Sequence, residues 1–222
     1  MKDRAKAAVV LFSGGQDSTT CLYWAKKKYN QVIAIQFDYE QRHKIELTQG
    51  KYITQIAGIQ NVILPINTFK ALNNNSLVNE SLAIVSETKT QLPNTFVPGR
   101  NLLFLTLAAA WAYSHNIFTI IGGMSEADYS GYPDCRLGFI QSAQQSISLA
   151  LDTDFAIETP LMFLTKAQVW KFSQELGCLD IIKDHTHTCY YGDRVHFWEW
   201  GFGCGECPAC ILRAKGYQEA FG

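Results

Sequence analysis

An excess of charge of either sign is missing from this chain. Across 222 residues, 19 Lys and Arg stand against 20 Asp and Glu, a net charge of −1. That balance argues against nucleic acid as the main ligand, because holding a polyanion takes a basic surface. Long apolar runs are also missing. The most apolar stretch, residues 101–115, falls short of the about 20 residues a helix needs to cross a bilayer, so no membrane partner is expected. The opening MKDRAKAAVVLF has too short an apolar run for a secretory signal and leads straight into a Gly-rich turn. Charged residues make up only 18% of the chain and apolar ones 47%, the balance of a folded globule rather than a disordered chain. No internal repeat is visible.

Cysteine is present seven times, but the setting of a secreted disulfide scaffold is absent. Three of the seven, Cys204, Cys207 and Cys210, crowd one short stretch of a chain without an export signal. Metal-bound thiolates in a reducing, cytoplasmic setting are the better expectation.

Strand-like and helix-like runs alternate. Strands are predicted at residues 7–12 (AAVVLF), 32–37, 61–66, 117–121 and 155–158. Helices are predicted at 17–29, 41–57, 102–114, 136–151 and 166–176, the helix at 102–114 apolar on nearly every side and therefore expected to lie deep. Continuous apolar strands separated by helices imply an α/β fold, a doubly wound parallel five-stranded sheet covered on both faces. Ligands of such sheets sit at the carboxyl ends of the strands, which gathers residues 13–18, 38–43, 98–101 and 122–134. Residues 70–92, rich in Asn, Ser and Thr, are long for a loop in a compact domain, and read as functional or partly disordered. Two units are expected: a nucleotide-binding domain over residues 1–183 and a small C-terminal zinc-binding module over 184–222.

The first strand ends in SGGQDS and enters a helix. Backbone N–H groups converge there, and the helix dipole adds partial positive charge. Gly14 and Gly15 let the backbone approach a bulky anion, while Ser13 and Ser18 add hydroxyl donors. Asp17 would repel a phosphate directly and reads as a ligand for a phosphate-bound magnesium. The GxxxxGK[ST] pattern of the Walker loop is absent.

Near the other end, Cys204, Cys207 and Cys210 form C-x2-C-x2-C, with Cys189 upstream in HTCYYGD. Four thiolates close a tetrahedral zinc site and leave no position for water, so one structural zinc per chain is expected. His185, His187 or His196 as the fourth ligand, or an iron–sulfur cluster, are the alternatives. Cys21 and Cys178 read as buried packing residues, and Cys135 lies in a predicted active-site loop.

SGGQDS in its strand–turn–helix setting resembles the pyrophosphate loop of the ATP pyrophosphatases, which adenylate a carbonyl oxygen. The strings SGGQDSTTC, FDYEQRH, NTFVPGRNLLFLTLAA, DYSGYPDCR, ETPL and CGECPAC, in that order, narrow the likeness. Together they resemble the 7-cyano-7-deazaguanine synthase family over residues 7–217. The resemblance implies a ligase that joins ammonia to 7-carboxy-7-deazaguanine, with ATP and Mg as co-substrate. It implies ATP binding by Phe12, Ser13, Gly14, Gly15, Gln16, Asp17, Ser18, Thr19, Thr20, Cys21 and Leu22. Ser13, Asp17, Arg100 and Lys166 are the candidate catalytic residues; Arg100 and Lys166 could neutralise charge building on the phosphates. Arg42, Tyr132, Asp134 and Arg136 are candidates for the deazaguanine, and His43 for a proton shuttle or plain packing. A homodimer is implied.

Two departures stand out. Glu40 occupies a place where the family's string has Gly. Fourteen residues, YYGDRVHFWEWGFG, separate Cys189 from Cys204, and this aromatic insertion is expected at a subunit interface or over the site. Rival readings are a tRNA-modifying enzyme of the same superfamily and a noncatalytic nucleotide-binding module. The first should carry a basic surface, and the second has little need of Asp17. No N-terminal Cys nucleophile or room for a glutaminase domain is present, so free ammonia is the expected nitrogen donor.

Overall fold

Five apolar runs line up side by side in a computed structural model that describes residues 7–39, 41, 44–67, 95–127 and 132–222. They are β1 (Ala7–Leu11), β2 (Gln31–Asp38), β3 (Gln60–Pro65), β4 (Thr119–Ile121) and β5 (Ala156–Glu158). All pair in parallel, in the order β3-β2-β1-β4-β5. The order reverses between β1 and β4, so the loops that leave those two strands open a crevice at the carboxyl edge. The expectations for Glu40, Arg42, His43 and the 70–92 stretch lie outside the described residues.

Alternation along each strand sorts side chains to two helical layers. Ala8, Val10, Ala34 and Ile121 meet α1 (Gln16–Lys28), α2 (Ile45–Ala57) and α5 (Lys166–Glu175) through Leu22, Ile53 and Val169. Val9, Ile33, Ile35 and Ile120 face the opposite layer, α3 (Arg100–Ser114) and α4 (Leu137–Ala150). Each fully buried Ile or Leu contributes about 1.5–3 kcal/mol by leaving water, so both layers hold the sheet. A doubly wound α/β sheet is therefore what forms.

The third helix is shallower than its composition implies. Leu105, Ala108, Ala109 and Ala112 are its fully buried face, whereas Leu102 and Tyr113 are 46% and 45% exposed. The small alanines bring one face close to the sheet and leave the rest of the apolar girdle half covered.

Beyond α5 come α6 (Leu179–His185), a two-stranded antiparallel hairpin β6 (Phe197–Trp198) with β7 (Gly201–Phe202), and α7 (Pro208–Phe221). Seven residues make α6 too short for a helical period to show in sequence. The expected boundary at residue 184 falls inside this helix. Trp170 of α5 and Ile182 of α6 share one apolar cluster with Cys189, Trp200, Cys207 and Cys210, so the terminal stretch packs onto the sheet-bearing body.

Arg213 of α7 ties this region together. Only 2% exposed, its guanidinium donates to the carbonyls of Trp200 (3.0 Å) and Ile182 (2.8 Å) and to Thr188 Oγ1 (3.1 Å). Among the described residues no carboxylate pairs with it. Burial works against its positive charge and brings its pKa down to about 10, which still leaves it protonated at neutral pH. Arg213→Ala removes three hydrogen bonds from a charged donor, leaving the buried Trp200 carbonyl without its side-chain partner and the Ile182 carbonyl with Thr186 Oγ1 alone, and each such loss costs about 1–3 kcal/mol. The expected outcome is a stability loss of about 3 kcal/mol or more, read as a lower denaturant midpoint, with Arg213→Lys falling between the two.

Candidate active site

The crevice between β1 and β4 is a cavity of about 380 Å³, within the range of small-molecule sites. Its floor is the loop from β1 into α1. No side chain caps α1, whose N-cap is Gly15, so the first N–H groups of the helix are left for a ligand. Inside the loop, Ser18 Oγ receives the Ser13 N–H (3.2 Å) and donates to the Gly15 carbonyl (3.2 Å). The two serine hydroxyls lie 3.1 Å apart. Gly14 has φ +86°, and a Cβ there would stand 2.6 Å from the Glu46 carbonyl of α2. Its own carbonyl accepts the His187 N–H at 3.1 Å, so the loop is clasped between α2 and the cysteine-bearing segment.

Lys166, at the start of α5, reaches across the crevice. Its Nζ donates to both Asp17 oxygens, at 3.0 and 2.9 Å, with its side chain only 11% exposed. Thr165 caps α5 by a reciprocal capping box with Gln168, which sets where Lys166 begins the helix. Gly216 lets α7 lie against the lysine stem, since a Cβ there would fall 2.5 Å from Lys166 Cγ. Lys166 is thus an aimed, packed cation rather than a surface one.

Opposite the loop stand Arg100 and Phe104 of α3, Tyr39, and Tyr132. Burial works against the Arg100 charge, but Tyr39, Tyr132, Asp134 and Cys135 around it outweigh that and hold the proton more firmly than usual. Phe104 stacks on Phe37 at 4.2 Å between centroids, with Tyr39 tilted beside it at 5.5 Å, an aromatic wall suited to a flat ring. Burial, opposed by Arg100, pushes the Tyr39 hydroxyl up to about 12. The same burial pushes the Glu46 carboxyl up to about 7, with Arg100 again acting the other way.

The residues singled out in the sequence divide. Phe12, Ser13, Gly15, Gln16, Asp17, Ser18, Arg100, Tyr132 and Lys166 line the cavity together. Thr19, Thr20, Cys21 and Leu22 do not: all four are 0% exposed and turn into the layer beneath the sheet. There Thr20 Oγ1 meets Ser173 Oγ (2.9 Å), and burial, then Asp17 and Cys178, raises the Cys21 thiol well above its usual range. Asp134 turns away as well. Its Oδ2 accepts the Asn101 N–H at 3.1 Å and so caps α3, while Arg136 is exposed outside the cavity. Cys135 lines it, with Asn101 Nδ2 3.4 Å from its sulfur.

Sequence reasoning did not assign Glu46, Tyr39, Gln41, His187, Thr188 and Arg213 to the wall, which they line beside Tyr190 of the aromatic insertion. Tyr39 and Gln41 sit inside FDYEQRH, and His187 and Thr188 inside HTCYYGD, strings already noted for other reasons; Glu46 and Arg213 carried no local signal. Gln16 Nε2 and His187 Nδ1 are buried without a hydrogen-bond partner among the described residues, and both residues line the cavity. Buried orphans of this kind are polar groups available to a ligand.

One wall continues into the cysteines. Cys189, Cys204, Cys207 and Cys210 bring their sulfurs within 4.8 Å of one another, close to the about 3.8 Å edge of a tetrahedron with zinc–sulfur bonds of about 2.3 Å. The Cys207 N–H donates to Cys204 Sγ at 3.3 Å, and the neighbouring thiols of Cys207 and Cys210 hold Cys189 well below the usual thiol range. The four-cysteine cluster can hold a metal such as zinc. None of His185, His187 and His196 belongs to it; His187 Nε2 lies 3.1 Å from the Cys189 carbonyl. In the aromatic insertion, Tyr190 lines the cavity and Trp200 is buried, stacked 5.9 Å from the half-exposed Trp198. Gly14→Ala tests the clasp: strain at positive φ and the clash with Glu46 should lower the melting temperature by several degrees, a loss of about 1–3 kcal/mol.

Comparison with known proteins agrees with this geometry. A family model described as "Queuosine biosynthesis protein QueC" matches residues 7–221. A 7-cyano-7-deazaguanine synthase of Clostridium botulinum (strain ATCC 19397 / Type A) is 52% identical over 213 residues, 96% of this chain and 94% of that protein. One from Wolinella succinogenes is 49% identical over 215 residues, 96% of this chain and 92% of its own. Among solved structures, an NH3-dependent NAD synthetase from Campylobacter jejuni aligns with a TM-score of 0.51 at 16% identity, over 82% of this chain and 69% of that one. A 4-thiouridine synthetase in complex with RNA and ATP aligns at 0.52 and 17%, over 80% and 42%. At such identities these two speak to the fold alone. With the family model matched over residues 7–221 and synthases half identical over nearly the whole length, the chain belongs to the QueC family of queuosine biosynthesis proteins.

Proposed function

We propose that this chain is a 7-cyano-7-deazaguanine synthase, which joins ammonia to 7-carboxy-7-deazaguanine and cleaves ATP to AMP and diphosphate. The observation that carries the reading is the uncapped Gly15 helix start faced by Lys166 and Asp17, in a chain half identical to synthases of that name. A carboxylate becomes a nitrile only by losing both oxygens, and neither leaves as hydroxide or oxide at neutral pH. Adenylating the first lets ammonia displace AMP and form the amide. Adenylating the amide oxygen lets AMP leave again as the nitrile forms, which accounts for two ATP per product.

Ser13, Ser18 and the first N–H groups of α1 bind the phosphates. A magnesium triphosphate meets both members of the 2.9 Å pair, the metal at Asp17 and a phosphate oxygen at Lys166. Arg100 faces the carboxylate or the α-phosphate, and Tyr132, Tyr39 and Phe104 cover the deazaguanine ring. Cys189, Cys204, Cys207 and Cys210 would hold one structural zinc through four thiolates, and so would fix the wall at residues 187–190. The near-neutral charge supports a small-molecule substrate over nucleic acid, and the half-exposed aromatics of the 190–203 insertion support a homodimer. A cytoplasmic setting follows from thiolate zinc ligation and soluble substrates; among the described residues no helix is long and apolar enough to cross a membrane.

The purified protein, given ATP, magnesium, ammonia and 7-carboxy-7-deazaguanine, should release two AMP per nitrile. No nitrile would sink the reading. Asp17→Asn and Lys166→Met should each slow turnover by about 100-fold or more. Zinc chelation should release one equivalent of metal and weaken ATP binding by calorimetry, because the Gly14 carbonyl loses its anchored partner at His187.

A further inference from the structure

The chemistry just described asks for a group that the phosphate loop does not supply. Ammonia arrives with three N–H bonds and ends as a nitrile nitrogen with none. In the first half, a C–N bond forms while the C–O bond to AMP breaks, its electron pair leaves with the phosphate, and nitrogen sheds a proton. In the second, the amide oxygen attacks the α-phosphorus, pyrophosphate departs, and nitrogen sheds another proton. The last N–H pair then becomes the third C–N bond as the second AMP leaves. Each proton needs an acceptor beside the reacting carbon.

Few groups on the cavity wall can accept one. Asp17 is committed to Lys166 through both oxygens. His187 belongs to the cysteine-bearing wall, its ring nitrogen 3.1 Å from the Cys189 carbonyl. Tyr39 is a neutral phenol beside Arg100. Glu46 remains. It sits half-buried in the first turn of α2 and lines the cavity, and its own carbonyl lies against Gly14, next to the phosphate loop. Among the described residues no hydrogen-bond donor or ion-pair partner holds its carboxylate. Lys44, at the start of the same helix, is taken by Asp38 at 2.9 Å.

Resting on the ligase reading above, we propose that Glu46 is the base that collects the protons from the ammonia-derived nitrogen, in both halves of the reaction, and hands each to water. Its surroundings suit the task. Arg100 on α3 and Tyr39 after β2 are the charged and titratable groups whose fields it shares, and burial outweighs the pull of Arg100. A carboxyl that titrates at about 7 is ionised over half the population at working pH, yet basic enough to take a proton in a transition state. Activity should therefore rise with pH through about 7 as the carboxyl loses its proton.

The test compares wild-type protein with Glu46→Gln and Glu46→Asp, full-length and zinc-loaded, from about pH 5.5 to about 9 at a fixed concentration of free NH3. Two readouts are taken: pyrophosphate release in the first turnover with the carboxylate substrate and no ammonia, and nitrile formation with ammonia. Glu46→Gln should keep the pyrophosphate burst, lose about 10²–10⁴ in nitrile kcat, and lose the acidic limb of the profile. Glu46→Asp should keep a limb with a displaced midpoint. An unchanged limb in Glu46→Gln, whether kcat is kept or only KM for the carboxylate rises, would overturn the proposal and leave Glu46 a recognition residue at most. Loss of the pyrophosphate burst would also overturn it, by placing Glu46 in adenylation or in folding. A wild-type protein that makes pyrophosphate but no nitrile refutes the ligase reading itself, an outcome visible before any variant is compared.

Discussion

At Gly14 the backbone passes between two walls, and the rest of the site depends on that passage. The Glu46 carbonyl on one side leaves no room for a Cβ, and the His187 N–H on the other takes the Gly14 carbonyl. A loop that points several N–H groups at one spot gains nothing from doing so among themselves. It must be held open by contacts outside it, and here those contacts come from residues 32 positions and 173 positions further along the chain. The phosphate loop, the first turn of α2 and the cysteine-bearing segment are therefore one mechanical unit.

Charge follows the same logic. The chain as a whole is almost neutral, yet Lys166, Arg100 and Arg213 converge on one cavity from α5, α3 and α7. Net charge governs long-range attraction to a polymer; local charge governs what a small ligand meets. Three cations drawn from separate helices make a site for an anion without making a surface for nucleic acid. Arg213, satisfied by carbonyls and a hydroxyl instead of a carboxylate, also lends rigidity to the wall behind the loop.

Much of the fold was legible because it is written in local patterns. Apolar runs such as AAVVLF, short, β-branched and ended by a Gly turn, read as buried strands, and the Ser-Gly-Gly turn into a helix points to a phosphate by composition. The tight C-x2-C-x2-C spacing does likewise. What local patterns leave out is direction. Thr19 to Leu22 belong to the same string as Ser13 to Ser18, but one turn of helix rotates them into the core. Asp134, a candidate for the deazaguanine by its string, has its Oδ2 on the Asn101 N–H, and α3, apolar all round in sequence, buries fully only the face of Leu105, Ala108, Ala109 and Ala112.

Sequence by itself determined the kind of machine: a parallel sheet with a phosphate-binding turn at one end of the chain and a four-thiolate cluster near the other. Those are properties of neighbours in the chain, and short-range spacing carries them. Tertiary structure decided which side chains share a cavity. Glu46, His187 and Arg213 became site residues only when α2, the cysteine-bearing segment and α7 closed on the loop. Their chemistry is set by burial and by cations distant in sequence, and neither is written at the position itself.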